Sequence, residues 1–151
     1  MAAVFFDTSA LIRRYHLTEP GSGAVRALCH GRRNNVLFIA RLTSVEMASG
    51  LNRKFREGAL DAHQLNRLWR LFNSHCRGGY HLVAINDQVY ARAQQLLFVH
   101  RLRAADAIQI AGALTTERLL SGLVTDFRFC TADQAQATSA SHEGLKVEMI
   151  S

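Results

Sequence analysis

The feature that most constrains this chain is an alternation: a short, almost wholly apolar run, then a stretch of helical period, repeated from end to end. The apolar runs are AVFF (3–6), NVLFIA (35–40), HLVAI (81–85), a segment within LVTDFRFCT (123–131) and KVEMI (146–150). Runs without polar alternation suit strands covered on both faces, because a strand with one wet face alternates. Between them lie SALIRRYH, GAVRALCHGRR, TSVEMASGLNRKF, DAHQLNRLWRLFNSH, DQVYARAQQLLFVHR, RAADAIQIAGALTTERLL and ADQAQATSASHE. Strands separated by helices cannot close as hairpins. The expected fold is therefore α/β, with helices on both faces of a central, mostly parallel sheet of about five strands. The length of 151 residues suits one domain, 1–151, without a linker. In the fourth helical stretch Leu65, Leu68, Trp69 and Phe72 share one face, which reads as a core stripe ahead of an exposed partner-binding face.

Several function classes drop out early. The formal charge is +6, and sixteen of the eighteen basic residues are Arg, with only Lys54 and Lys146 as lysines. A guanidinium fork matches phosphate and stacks on bases, so this excess points toward nucleic acid. Cys29, Cys76 and Cys130 form no C-x-x-C pair, which argues against a disulfide framework and for a reducing compartment, the cytoplasm. No apolar stretch approaches the ~20 residues a membrane span requires. The seven His form no H-E-x-x-H and no tight Cys/His grouping, so no zinc motif is legible. G-S-G at 21–23 lacks the spacing of a phosphate loop and reads as a turn.

The acids carry the chemistry. Asp7 ends the first strand, and in open parallel sheets functional groups gather outside the carboxyl ends of strands. It also suits an N-cap of the helix that follows. Glu46, in T-S-V-E, has the spacing of a capping box with Thr43, but Val45, Met47 and Leu51 surround it with apolar side chains. Asp106 opens an otherwise small and apolar helix, L-R-A-A-D-A-I-Q-I-A-G-A-L, where an unpaired carboxylate needs a cation or strong donors beside it. Asp133, in F-C-T-A-D-Q, repeats the strand, acid, helix order of Asp7; its rival Asp126 is followed by extended chain. Each acid could be a cap. The sharper expectation is that they converge, and convergent carboxylates stay ionised only around a cation. Oxygen ligands alone select a hard ion, Mg²⁺ or Mn²⁺.

With these pieces in order, V-F-F-D-T-S-A-L, L-T-S-V-E-M-A, L-R-A-A-D-A-I-Q-I-A-G-A-L, F-C-T-A-D-Q and G-L-K-V-E-M-I, the chain resembles the PIN-domain family, most closely its VapC-type ribonuclease toxins. The resemblance spans nearly the whole length and implies a PIN-like three-layer α/β/α fold. It also implies a Mg²⁺- or Mn²⁺-dependent endoribonuclease, a homodimer, and a cognate VapB-type antitoxin that inhibits it. Carried over by residue, the acidic group is Asp7, Glu46, Asp106 and Asp133, all four candidate metal ligands. The hydroxyls that orient them are Ser9 and Thr131. Arg13, Arg14, Arg41, Arg53 and Arg103 lie near these acids in sequence and are the candidate RNA contacts. Two alternatives stand beside this reading: a PIN-fold nuclease of RNA processing or DNA outside a toxin pair, and a non-catalytic RNA- or protein-binding module. A receiver-type phospho-acceptor domain needs an acidic pair early in the chain, and the first strand offers one acid only.

Overall fold

A computed structural model describes residues 1–151. The strands are β1 (Ala3–Phe6), β2 (Val36–Ala40), β3 (Tyr80–Val83), β4 (Phe127–Thr131) and β5 (Val147–Met149). The helices are α1 (Thr8–Tyr15), α2 (Ser22–Cys29), α3 (Thr43–Arg56), α4 (Ala62–Gly78), α5 (Asp87–Val99), α6 (Ala104–Leu119) and α7 (Gln134–His142), with a 3₁₀ turn at Gly31–Arg33. All five strands are parallel, in the order β3-β2-β1-β4-β5. The expected α/β architecture is present: β1 matches its apolar run, β2, β4 and β5 lie within theirs, and β3 begins one residue before its run and ends two residues short of it. No helix is long and apolar enough to cross a membrane.

The central strand β1 is buried at every position, and its alternating side chains feed two separate cores. Val4 and Phe6 face Leu11 and Tyr15 of α1, Met47 and Leu51 of α3, and Leu68 and Phe72 of α4. Ala3 and Phe5 face Val89, Ala93 and Leu96 of α5, Ala107, Ile110 and Ala111 of α6, and Ala140 of α7. Continuous apolar character in β1 thus follows from helices on both sides of it. Leu68 and Phe72 are buried and Leu65 and Trp69 pack against the same core, so the α4 stripe is a core stripe. Gly112 lets α6 press onto the sheet, since a Cβ there would stand 3.3 Å from the Phe5 ring.

The order of the strands places the site. From β1 the chain steps outward through β2 to β3, then crosses back to lay β4 on the other side of β1 and β5 beyond it. The reversal falls between β1 and β4, and a parallel sheet opens a crevice beyond its carboxyl edge at such a switch point. Phe6 is in register with Cys130, so Asp7 and Thr131 emerge side by side at this edge. Asp126 precedes β4, at the other end of that strand.

Candidate active site

Asp7 is buried, 3% exposed, and every contact to its carboxylate is a donor. The Ala10 N–H donates to Oδ1 at 3.0 Å, making Asp7 the N-cap of α1. Ser9 Oγ lies 2.9 Å from both carboxylate oxygens, and Thr131 Oγ1 donates to Oδ2 at 3.0 Å. The two hydroxyls are 3.3 Å apart, and the Ala132 N–H donates to Ser9 Oγ at 3.0 Å. Ser9 and Thr131 therefore fasten the end of β1 to the end of β4 through Asp7. No basic side chain offsets the burial. Desolvation raises the carboxyl from its ordinary 3.8 to about 7 against the pull of these hydrogen bonds, and the Asp106 charge adds to the rise.

Asp106 stands in the first turn of α6, half-buried, where α6 has no side-chain cap of its own. Its carboxyl is also raised, first by burial, then by the charges of Asp133 and Glu46, with Arg103 opposing. Asp106 is thus the electrostatic centre of the group, coupled to each of the other three acids. Asp133 caps α7, its Oδ1 accepting from the Gln136 N–H at 3.1 Å, while its own N–H donates to Thr131 Oγ1 at 3.1 Å.

Glu46 makes no capping box. Thr43 is already the first residue of α3, which starts without a side-chain cap. Glu46 Oε1 accepts instead from Thr8 Oγ1 and from Gln109 Nε2, each at 2.8 Å. Gln109 also donates to Thr43 Oγ1 at 2.9 Å, so one amide from α6 ties α1 and α3 to itself. Close approach of α1 and α3 is permitted at Gly50, where a Cβ would meet Ile12 Cδ1 at 2.7 Å.

The six expected site residues therefore gather at one sheet edge. Three polar partners were not anticipated, Thr8, Gln109 and Gln136, and Thr43, expected in a capping box with Glu46, accepts from Gln109 instead. Gln109 and Gln136 are almost fully buried, and Gln136 bridges Thr131 Oγ1 at 3.2 Å and the Asp106 carbonyl at 3.4 Å. Gln109 lies three residues after Asp106, on the same helical face, and that spacing inside an apolar helix was the available signal. Among the candidate arginines, Arg41, Arg53 and Arg103 are exposed. Arg14 is not a rim residue: it donates to Tyr80 Oη at 2.7 Å and lies over the Tyr15 and Tyr80 rings. Arg13 bonds the backbone carbonyls of Ser9 and Pro20. Asp126, the rival acid, accepts from Arg128 and Lys146.

The donor set fits a hard divalent ion: carboxylate and hydroxyl oxygens only, with no sulfur or imidazole among them. Asp7 is pushed toward protonation by burial and by the Asp106 charge, and Asp106 by burial and the charges of Asp133 and Glu46, which shows what such an ion would relieve. Glu46 Oε2 and Asp133 Oδ2 take no hydrogen bond and are free to meet it or its waters, while the half-buried Asp106 carboxylate accepts from the Arg103 backbone. No three of these acids bring oxygens within 4.8 Å of one another, so a shared ion would reach some of them through water. Mg²⁺ usually keeps several waters.

A doubly covered parallel sheet that collects carboxylates and hydroxyls at its switch point defines an α/β/α domain with an acid-lined crevice. The chain belongs to the PIN domain family, whose sequence profile matches residues 4–121. The same fold is found in VapBC2 from Rickettsia felis, solved bound to a DNA fragment from their promoter. The two are 10% identical, 99% of each chain is covered, and the TM-score is 0.64. FitAcB from Neisseria gonorrhoeae matches at 14% identity, 95% of each chain and a TM-score of 0.60. At these identities the likeness is one of fold. No curated protein matches the chain in sequence.

Proposed function

We propose that residues 1–151 form a single nuclease domain, a metal-dependent endoribonuclease that hydrolyses RNA phosphodiester bonds. In this reading it is the toxin of a VapBC-type toxin–antitoxin pair, held in check by a cognate VapB-type antitoxin. The observation that carries the reading is the buried Asp7 carboxylate, fastened by Ser9 and Thr131 and coupled in charge to Asp106. A structural cap has no need of that burial, since exposed Asp61 caps α4 equally well. Membership of the PIN family supports nuclease chemistry, and the fold shared with VapBC2 and FitAcB supports the toxin assignment.

Asp7, Asp106, Asp133 and Glu46 would hold Mg²⁺ or Mn²⁺. When bound, the ion supplies Lewis acidity and offsets negative charge at the phosphate. The chain's own residues do the rest. Ser9 and Thr131 fix the direction of Asp7. Thr8 and Gln109 hold Glu46 Oε1, leaving Oε2 to orient the attacking water and accept its proton. Arg41, Arg53 and Arg103 are exposed and would contact RNA phosphates, which sets affinity and its salt dependence. On α5, Tyr90, Leu97 and Phe98 are exposed, Phe98 to 93%, which supports a homodimer. Three free cysteines support a cytoplasmic setting.

The test is cleavage of a mixed small-RNA pool with Mg²⁺ or Mn²⁺, comparing the parent with Asp7→Asn and Asp106→Asn. Cutting that stops with chelator and in both variants is expected. Variants that cut as fast as the parent, or cutting indifferent to chelator, refute the assignment. A duplex DNA substrate run alongside separates ribonuclease from deoxyribonuclease action.

A further inference from the structure

Away from the acids, three side chains from two distant parts of the chain point at one place. His100 caps the C-terminal end of α5; His142 is the last residue of α7 and Glu143 its C-cap. His100 Nε2 lies 2.6 Å from Glu143 Oε2, and His142 Nδ1 lies 3.5 Å from the same oxygen. The two imidazoles meet edge to face with centroids 5.0 Å apart. This is the one place in the chain where three groups able to ligate a metal bring their donor atoms within 4.8 Å of one another. The other carboxylate oxygen, Oε1, is engaged by Arg92 Nη2 at 2.7 Å.

We propose that His100 Nε2, His142 Nδ1 and Glu143 Oε2 form a second metal site, one that takes Zn²⁺ and is separate from the acidic group. The donor set is two neutral imidazoles and a carboxylate, which favours Zn²⁺ over Mg²⁺. Ligand atoms ~2.0–2.1 Å from a tetrahedral zinc are roughly 3.3 Å apart, and the measured 2.6 and 3.5 Å bracket that spacing. An ordinary ion pair needs one imidazole. Here two share one oxygen, and both cannot be cationic at this separation without repulsion. One divalent ion between them gives both ring nitrogens a single partner. Arg92 performs the outer role typical of such sites, holding the far carboxylate oxygen so that the near one faces the imidazoles. With side-chain exposures of 10% for His100 and 14% for Glu143, two ligands are sheltered, whereas His142 at 68% leaves a side open to water and to the entering ion. Zinc bound there clips the end of α5 to the end of α7.

The experiment is calorimetric titration of the metal-free, full-length chain with Zn²⁺ at neutral pH, in excess Mg²⁺ to mask the acidic group. One zinc per chain is expected, with a rise in melting temperature. His142→Gln, a change at an exposed side chain that leaves the fold intact, should weaken binding by roughly 10–100-fold, and His100→Gln likewise. Asp106→Asn should leave zinc binding unchanged. The Co²⁺-loaded protein should show visible d–d absorption that His142→Gln weakens at the same Co²⁺ concentration. Zinc binding equal in the parent and His142→Gln, or no binding that survives Mg²⁺, overturns the proposal.

Discussion

Replacing Asp7 by Asn should stabilise the metal-free protein while ending its activity. The carboxyl is raised from 3.8 to about 7, and desolvation is the largest cause. Because the folded value exceeds the unfolded one, the native state holds a proton between about pH 4 and 7 that the unfolded chain has released. Stability therefore falls as pH rises through that window, and the whole cost is present above about pH 7. A rise of about three units at ~1.4 kcal/mol each sets that cost at ~4 kcal/mol, as an upper bound. Asn keeps the shape and the cap bond from the Ala10 N–H, and Asn is a favoured cap. Its new N–H donors face Ser9 and Thr131, and Thr131 can turn to accept one while still donating to Gln136 Oε1, 3.2 Å away. Urea and thermal melts in chelator at about pH 8 should place Asp7→Asn above the parent by at most ~8–16 °C, taking ~2–4 °C per kcal/mol for a chain of this size. The gap should shrink steadily toward pH 4. Saturating Mg²⁺ should narrow it at about pH 8, because the ion binds the parent's native state and lifts its stability. An Asp7→Asn protein no more stable than the parent at about pH 8 without metal refutes the claim that Asp7 is a buried, uncompensated charge.

Gln109→Leu should leave the chain folded and slow single-turnover cleavage roughly 10–100-fold, the worth of one hydrogen bond to a charged group of ~1.5–3 kcal/mol. A rate equal to the parent's removes Gln109 from the positioning of Glu46. Gly21, with φ at +84°, caps α2 where a Cβ would collide with Ile150 Cγ2, so Gly21→Ala should cost roughly 1–3 kcal/mol in a urea melt. An unchanged midpoint contradicts that packing. Arg128 and Lys146 hold Asp126 down to about 2, so its ion pairs stabilise the fold above the ordinary 3.8 and lose that effect as pH falls from about 4 toward 2. As the pair is solvent-exposed, Asp126→Asn should lower the urea midpoint at about pH 6 by the equivalent of under ~1 kcal/mol and match the parent near pH 2. A constant gap across that range contradicts the ion-pair account.

What the one-dimensional pattern conveyed, and what it hid, follows from what hydropathy measures. Unbroken apolar runs such as AVFF report burial on both faces, which only a covered parallel sheet provides, so the sheet and the place of Asp7 were both legible. Hydropathy says nothing about the direction in which a buried polar group finds its partner. Gln109 sits between Ile108 and Ile110 and reads as an interruption of the core, yet its amide binds α1, α3 and α6 together. Thr43 and Glu46 have the spacing of a capping box, but Glu46 meets stronger donors in Thr8 and Gln109, and tertiary contacts overrode the local bond. Arg14 stands seven residues after Asp7 and looked like a rim residue, until α1 turned it onto the Tyr15–Tyr80 pair. His100 and His142 are too far apart in the chain for any local metal motif, so only the meeting of the C-terminal ends of α5 and α7 brings them together. Polar convergence of this kind is a property of topology. It becomes readable once the strand order is known, because that order decides which helix ends become neighbours.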